Sequence, residues 1–194
     1  EDECYDKVCE AEDGADVLFP FAKRADRETA GTRWSYCRDI GKTRVVVMDS
    51  RGGRVLVPAG EWFTGPIHLK SNIELHFEQG ATVRFSNDPG QYLPPVFVRW
   101  GGQECYNYSP LIYARDCDNI AITGHGTLLG QGKPWWAWEK KQQQVRQKLT
   151  DMVIQGVAVE DRRFGSADLP LRPQFISPVN CTNVLLEDFT IGEA

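Results

Sequence analysis

The stretch GPIHLKSNIELHFEQGATVRFS, residues 65–86, constrains the fold more than any other part of the chain. Its apolar residues come in short bursts, Ile67/Leu69, Ile73/Leu75/Phe77 and Val83/Phe85, separated by a Lys-Ser-Asn corner and a Glu-Gln-Gly-Ala corner. Alternation with period 2 marks a strand with one buried face. Strands this short cannot bury that face alone, but successive turns of a coil stack and fill a continuous core. A weak internal repeat supports the coil: SNIELHFEQGATV (71–83), DNIAITGHGTL (118–128) and TNVLLEDFTI (182–191) each place Asn before a β-branched residue. Asn72 and Asn119 are 47 residues apart and Asn119 and Asn183 are 64 apart. Both spacings read as multiples of a rung of about 20–25 residues carrying inserted loops. Asn and Gly take left-handed backbone at low cost, and stacked Asn side chains can hydrogen-bond from rung to rung. A β-sandwich also has many short strands, but it predicts hairpin dipeptides between them. The one such dipeptide, Asp13-Gly14, lies far from the repeat. The expectation is an all-β parallel coil.

Composition narrows the partners. A formal net charge of −5 speaks against nucleic acid, which needs a broad basic face, though a local basic groove for an anionic polymer stays compatible. No apolar run approaches the roughly 18–20 residues of a membrane helix, so no membrane partner is expected. The opening EDECYDKVCE lacks the basic-then-apolar order of a secretory signal. Six cysteines (Cys4, Cys9, Cys37, Cys105, Cys117 and Cys181) form no C-x-x-C pair and have no His cluster nearby, which argues against zinc. Buried free thiols are expected, with one or two bridges as the alternative in an exported protein. No cofactor or metal is expected.

Texture divides the chain. Residues 1–51 show no sustained period, apart from RVVVMD (44–49) as one strand. Residues 52–132 carry the β bursts, 133–171 read as an inserted loop, and 172–194 return to the β pattern. Within the insertion, Val145, Leu149, Met152 and Val153 fall at helical spacings, so EKKQQQVRQKLTDMV (139–153) is expected to pack as an amphipathic helix. Lys140, Lys141, Arg146 and Lys148 then face solvent.

Three motifs carry a resemblance. GGRVLVPAGEWFTGPIHLKSNIELHFEQGATVRFS (52–86), PLIYARDCDNIAITGHGTLLGQGKPWW (110–136) and LRPQFISPVNCTNVLLEDFTIG (171–192) resemble, in order, the first rungs of polygalacturonase-like enzymes, glycoside hydrolase family 28. The resemblance implies a right-handed parallel β-helix of the pectin-lyase-like type, incomplete, with one helical insertion at 133–171. It implies hydrolysis of pectic polysaccharide containing galacturonate, with inversion, by a monomer in the periplasm or outside the cell. Inversion needs an acid for the leaving oxygen and a base for water, on carboxyls far enough apart to admit that water.

The family supplies these groups in Asn-Thr-Asp and Asp-Asp motifs, and neither occurs here. The chain is therefore expected to stop before the catalytic aspartates, to leave its last rung uncovered, and to be inactive alone. No catalytic residue is assigned. The family's usual Phe-Gly-Ala-x-Gly-Asp-Gly opening is also missing, and two explanations stand for residues 1–51: a divergent cap, or a segment read from a disrupted frame. A non-catalytic β-helix module binding acidic polysaccharide is the alternative function. A calcium-dependent lyase would need an acidic cluster that the sequence does not display.

Substrate contact is assigned to Arg172, Trp135 and Trp136. Arg suits bidentate carboxylate binding, and aromatic faces stack on sugar rings. Each has a structural alternative: a backbone hydrogen bond for Arg172, and stapling of the insertion for Trp135, Trp136 and Trp138. His125, in Gly124-His125-Gly126, is read as a corner residue, and Arg146-Gln147-Lys148 as a solvated helix face. Asp116 and Asp118 are read as corner hydrogen-bonders. His68 and His76 are read as lacking a partner acid at useful spacing, with His76 facing outward.

Overall fold

The computed structural model describes residues 53–194 together with two strands nearer the start, β1 (Ser35–Ile40) and β2 (Thr43–Met48). These two pair antiparallel, and β2 covers most of the strand expected at 44–49. From Gly53 onward the chain winds as a parallel coil of three sheets. One holds β3 (Gly53–Val57), β6 (Ile73–Phe77), β11 (Asp118–Gly124) and β14 (Thr182–Leu186). The second holds β4 (Gly60–Thr64), β7 (Ala81–Phe85), β12 (Thr127–Leu129) and β15 (Thr190–Gly192). The third holds β5 (Ile67–His68), β10 (Ile112–Arg115) and β13 (Ile176–Val179). Neighbours in all three are parallel, which excludes the sandwich. The architecture is a right-handed parallel β-helix.

The pleat explains the core. Ile73, Leu75 and Phe77 of β6 point inward and are buried, as are Ala81, Val83 and Phe85 of β7, while Glu74 and His76 alternate outward. Each large apolar side chain buried this way contributes about 1.5–3 kcal/mol before entropic costs. Rung after rung adds to one continuous cluster running from Val55 to Leu128.

Corners supply the vertical ties. Asn72, Asn119 and Asn183 all adopt left-handed backbone, with φ of 63°, 55° and 53°. Asn119 Nδ2 donates to Asn72 Oδ1 at 2.9 Å and Asn183 Nδ2 to Asn119 Oδ1 at 2.8 Å, forming the expected ladder. A second corner stacks Asn180 on Asp116, with Nδ2 to Oδ1 at 3.1 Å. At Gly124, φ is 97° and a Cβ would sit 2.1 Å from the Phe77 carbonyl oxygen, so no other residue fits.

The rung count differs from the sequence reading. Gly53 pairs with Ile73, giving one plain turn of 20 residues. Leu75 pairs with Ile122 and Ile122 with Leu186, so the 47- and 64-residue spacings are each a single turn with a long excursion, not multiples of a rung. A corner can release any length of chain provided both ends return to register, and spacing alone does not report that.

Both excursions leave the coil between the second and third sheets and lie against each other. The first carries a 3₁₀ turn (Pro89–Tyr92) and the antiparallel hairpin β8 (Val96–Trp100) and β9 (Gln103–Asn107). The second carries α1 (Lys133–Trp136), α2 (Glu139–Ile154) and a 3₁₀ turn (Val159–Asp161). Helix α2 buries Val145 and Leu149 and partly buries Met152 and Val153, the face expected from its spacing, and it buries Gln142 as well. With Val98, Cys105, Tyr113, Phe164, Leu171 and Val179, the Val145 and Leu149 side chains form a second apolar cluster outside the coil. Phe164 N donates to Tyr106 O at 2.7 Å and Tyr106 N to Arg162 O at 2.9 Å, which joins the excursions.

Cys105 and Cys117 are buried free thiols and Cys181 is a partly buried one. Burial pushes the Cys105 thiol up to about 12. The remaining cysteines lie outside the described residues or, for Cys37, have a side chain outside them.

Candidate functional site

A cleft of about 400 Å³ opens where the coil meets its excursions. Its floor is backbone: Gly130 and Gly132 after β12, with Leu111 and Phe175 beside them. Close packing explains the glycines, since a Cβ on Gly130 would meet Phe175 Cε2 at 2.8 Å and one on Gly132 would meet Ala194 O at 2.7 Å. The walls come from each excursion: Trp100 from the hairpin, Trp136 from α1, Gln142 from α2, and Arg172 and Gln174 from the segment returning to β13.

Arg172 is positioned by its neighbours. Its backbone N and its Nε both donate to Gln142 Oε1, at 2.9 and 3.2 Å, while its carbonyl accepts from Trp100 Nε1 at 3.1 Å. No described residue hydrogen-bonds or pairs with Nη1 or Nη2, so a held guanidinium presents two donors to the cleft. Gln174 donates Nε2 to Arg99 O at 3.0 Å and leaves a buried Oε1 without a partner among the described residues.

The tryptophans part company. Trp135 is 5% exposed and packs edge-on against Tyr92 (5.6 Å) and Trp138 (4.9 Å), while Trp138 leans on Tyr108. Its ring belongs to the core cluster and staples the insertion onto the coil, while the residue also lines the cleft. Trp136 is 50% exposed, and its Nε1 donates to Ala194 O at 3.2 Å, which holds the ring in place. The assigned residues are thus brought together, with the aromatic face supplied by Trp136.

Other sequence candidates sit elsewhere. His125 is an exposed bend between β11 and β12, and Arg146 and Lys148 are exposed on α2. Asp116 Oδ1 accepts from Asn180, and Asp118 Oδ1 from Thr182 Oγ1, so both serve corners. His76 does face outward, but it has a partner acid: its Nδ1 lies 3.6 Å from Glu74 Oε1. Positions i and i+2 of a strand share a face, which corrects the sequence reading of His76. Thr123 Oγ1 bridges them, donating to Glu74 Oε1 at 2.8 Å and bonding His76 Nδ1 at 2.7 Å, and Arg54 Nε donates to Glu74 Oε2 at 2.6 Å. Burial alone would push Glu74 up, but the hydrogen bonds from Arg54 and Thr123 and the Arg54 charge outweigh it and hold the carboxyl below its usual value. The network ties three rungs together on the outer face of the coil.

Sequence reasoning missed Trp100, Gln142 and Gln174. Gln142 could have been found, since it lies three residues before Val145 on the apolar stripe of α2. Trp100 and Gln174 meet the cleft only through the tertiary return of the excursions. Among the described residues no cluster of His, Cys, Asp and Glu is arranged to hold a metal.

Comparison with known proteins places this geometry. The exopolygalacturonase of Thermotoga maritima, a solved structure, is 47% identical with a TM-score of 0.69, over 73% of this chain and 34% of that one. The family 28 exopolygalacturonase of Yersinia enterocolitica, at 24% identity and a TM-score of 0.50 over 72% of this chain and 29% of its own, shares the fold. A probable polygalacturonase of Vitis vinifera is 28% identical over 148 residues, 72% of this chain and 29% of that protein. The chain therefore spans about a third of the length of these relatives. The family model described as glycosyl hydrolases family 28 matches residues 49–194, well over half of the chain, and the chain belongs to that family.

Proposed function

We propose that these rungs belong to a polygalacturonase-type hydrolase that acts on pectic polysaccharide with inversion, outside the cytoplasm where that polymer is found. The observation that carries this reading is the 47% identity to an exopolygalacturonase across nearly three quarters of the chain. The cleft agrees with it chemically. Arg172 offers two donors suited to a sugar carboxylate, and Trp136 offers a face suited to a sugar ring. Both come from one chain, so a monomer suffices for binding.

Hydrolysis by the 194-residue chain alone is not expected. Inversion needs two carboxyl groups about 6.5–9.5 Å apart around the bond to be cut. No Asp or Glu side chain among the described residues lines the cleft around Arg172, and Asp116 and Asp118 are occupied at a corner. This favours binding without cleavage for the chain as it stands, the behaviour of the non-catalytic alternative. The test is calorimetric titration of the chain with polygalacturonate, beside its Arg172→Gln variant. Binding that weakens at least tenfold in the variant supports the reading. Absent binding, or binding indifferent to Arg172, contradicts it.

A further inference from the structure

The corner between the third and first sheets repeats with a cysteine in it. Asp116-Cys117-Asp118-Asn119 and, one rung on, Asn180-Cys181-Thr182-Asn183 occupy the same positions of successive turns. Arg115 pairs with Val179 before the corner and Asp118 with Thr182 after it, so Cys181 is stacked on Cys117. Backbone bonds on both sides keep that register: Asp116 N donates to Val179 O at 3.0 Å and Thr182 N to Cys117 O at 3.0 Å. We propose that Cys117 and Cys181 are a disulfide-forming pair, which in oxidising surroundings closes a staple between two rungs and across the mouth of the second excursion. The oxidising setting rests on the proposed location outside the cytoplasm, and the pairing rests on the stack.

Residues stacked in adjacent parallel rungs sit about 4.8 Å apart, inside the Cα separation of about 4.4–6.8 Å that a disulfide spans. Each cysteine follows a left-handed residue with the same φ, 53° at Asp116 and 53° at Asn180, so the two side chains leave the backbone in one direction. That direction is inward: Cys117 belongs to the coil core and Cys181 packs against it. Each Sγ donates to the carbonyl two residues back, Cys117 to Arg115 O at 3.1 Å and Cys181 to Val179 O at 3.3 Å. Turning one side chain towards the other gives up a single weak S–H bond. The structure shows the reduced state, with both thiols free. In the oxidised state one Sγ–Sγ bond replaces two S–H bonds. Two protons and two electrons pass to a small-molecule disulfide such as oxidised glutathione, which leaves as two thiols. The bond closes a loop that holds both helices of the excursion, with 64 residues from one cysteine to the other, and cross-links over long loops restrict the unfolded chain most. Cys105 packs in the annex cluster instead, away from this stack.

Refolding the 194-residue chain from urea in oxidised glutathione, followed by peptide mapping without reduction, should recover one dominant cross-link, Cys117 to Cys181. The thermal midpoint of that material should lie about 5 °C or more above that of the same chain treated with dithiothreitol. Cys117→Ser and Cys181→Ser should each lose both the cross-link and the shift. A chain oxidised while still in urea should instead spread its cross-links over the six cysteines. Four results would overturn the pair: both thiols free after refolding, a dominant link from either one to Cys4, Cys9, Cys37 or Cys105, the same link formed as readily in urea, or a midpoint shift that survives in Cys181→Ser. Mapping of the native chain decides the matter even where a variant fails to fold. None of these readouts involves sugar, so their failure leaves the Arg172 cleft standing.

Discussion

The coil and the annex beside it are built from the same chain but by different rules. In the coil, each residue's place is dictated by the rung below: inward positions alternate, corners carry left-handed Asn or Gly, and side-chain ladders run vertically. In the annex, a hairpin and a helix meet through a separate apolar cluster and a few cross-links, such as Gln103 Nε2 to Thr150 Oγ1 at 3.2 Å. The coil's corners are tightly fitted, as at Gly124, yet two long excursions leave the coil between its second and third sheets. The annex supplies Trp100, Trp136, Gln142 and Arg172 to the cleft. The cleft lies at the seam between the two.

Breaking the coil should have the largest effect. Gly124→Ala would force a Cβ against the Phe77 carbonyl at a left-handed position. We expect a loss beyond about 4 kcal/mol, visible as insoluble protein or a collapsed urea midpoint. A native-like midpoint would show that the corner is looser than its geometry. In the annex, Leu149→Ala removes a fully buried side chain, with a cost of about 2–5 kcal/mol. That loss should be local: hydrogen exchange should rise across α2 and the hairpin while β6 and β11 stay protected. Uniform loss of protection would mean that the two regions unfold as one.

The Asn ladder comes next. Asn119 bonds to rungs above and below, and each bond is worth about 0.5–1.5 kcal/mol. Asn119→Ala should therefore cost about 1–3 kcal/mol, and Asn119→Gly less, because glycine keeps the left-handed backbone. Equal costs would assign the whole effect to the side-chain bonds. An exposed annex change such as Arg146→Gln should stay within about 0.5 kcal/mol of the native chain.

The smallest effect is a pH dependence. His68, against Ser109 and edge-on to Tyr113, has its pKa lowered by partial burial and by the Lys70 charge. The folded state then binds fewer protons than the unfolded one, so stability is complete above the unfolded value near 6.5 and declines as pH falls below it. Urea midpoints between pH 7 and 5 should fall, and His68→Gln should flatten that slope. An unchanged slope in the variant would place the titration elsewhere.

Much of the coil was legible in the sequence because its rules are local. Period-2 bursts, Asn at corners and the amphipathic face of α2 all report their own environment. Two things were not legible. The number of turns was hidden because an excursion of any length can interrupt a rung between Asn72, Asn119 and Asn183. The cleft was half hidden: Arg172 and Trp136 were visible as chemistry, but Trp135 looks the same in sequence and is spent on packing. Gln174, Trp100 and the Glu74–His76 pair depend on which strands and loops become neighbours, and residue spacing does not encode that.

The most direct test of the account is reducing-end release from polygalacturonate by the folded 194-residue chain, measured beside its binding to the same polymer. The account predicts binding that depends on Arg172 and no release of reducing ends. Sustained release, abolished by Asp116→Asn or Asp118→Asn, would contradict it and make those corner carboxylates catalytic.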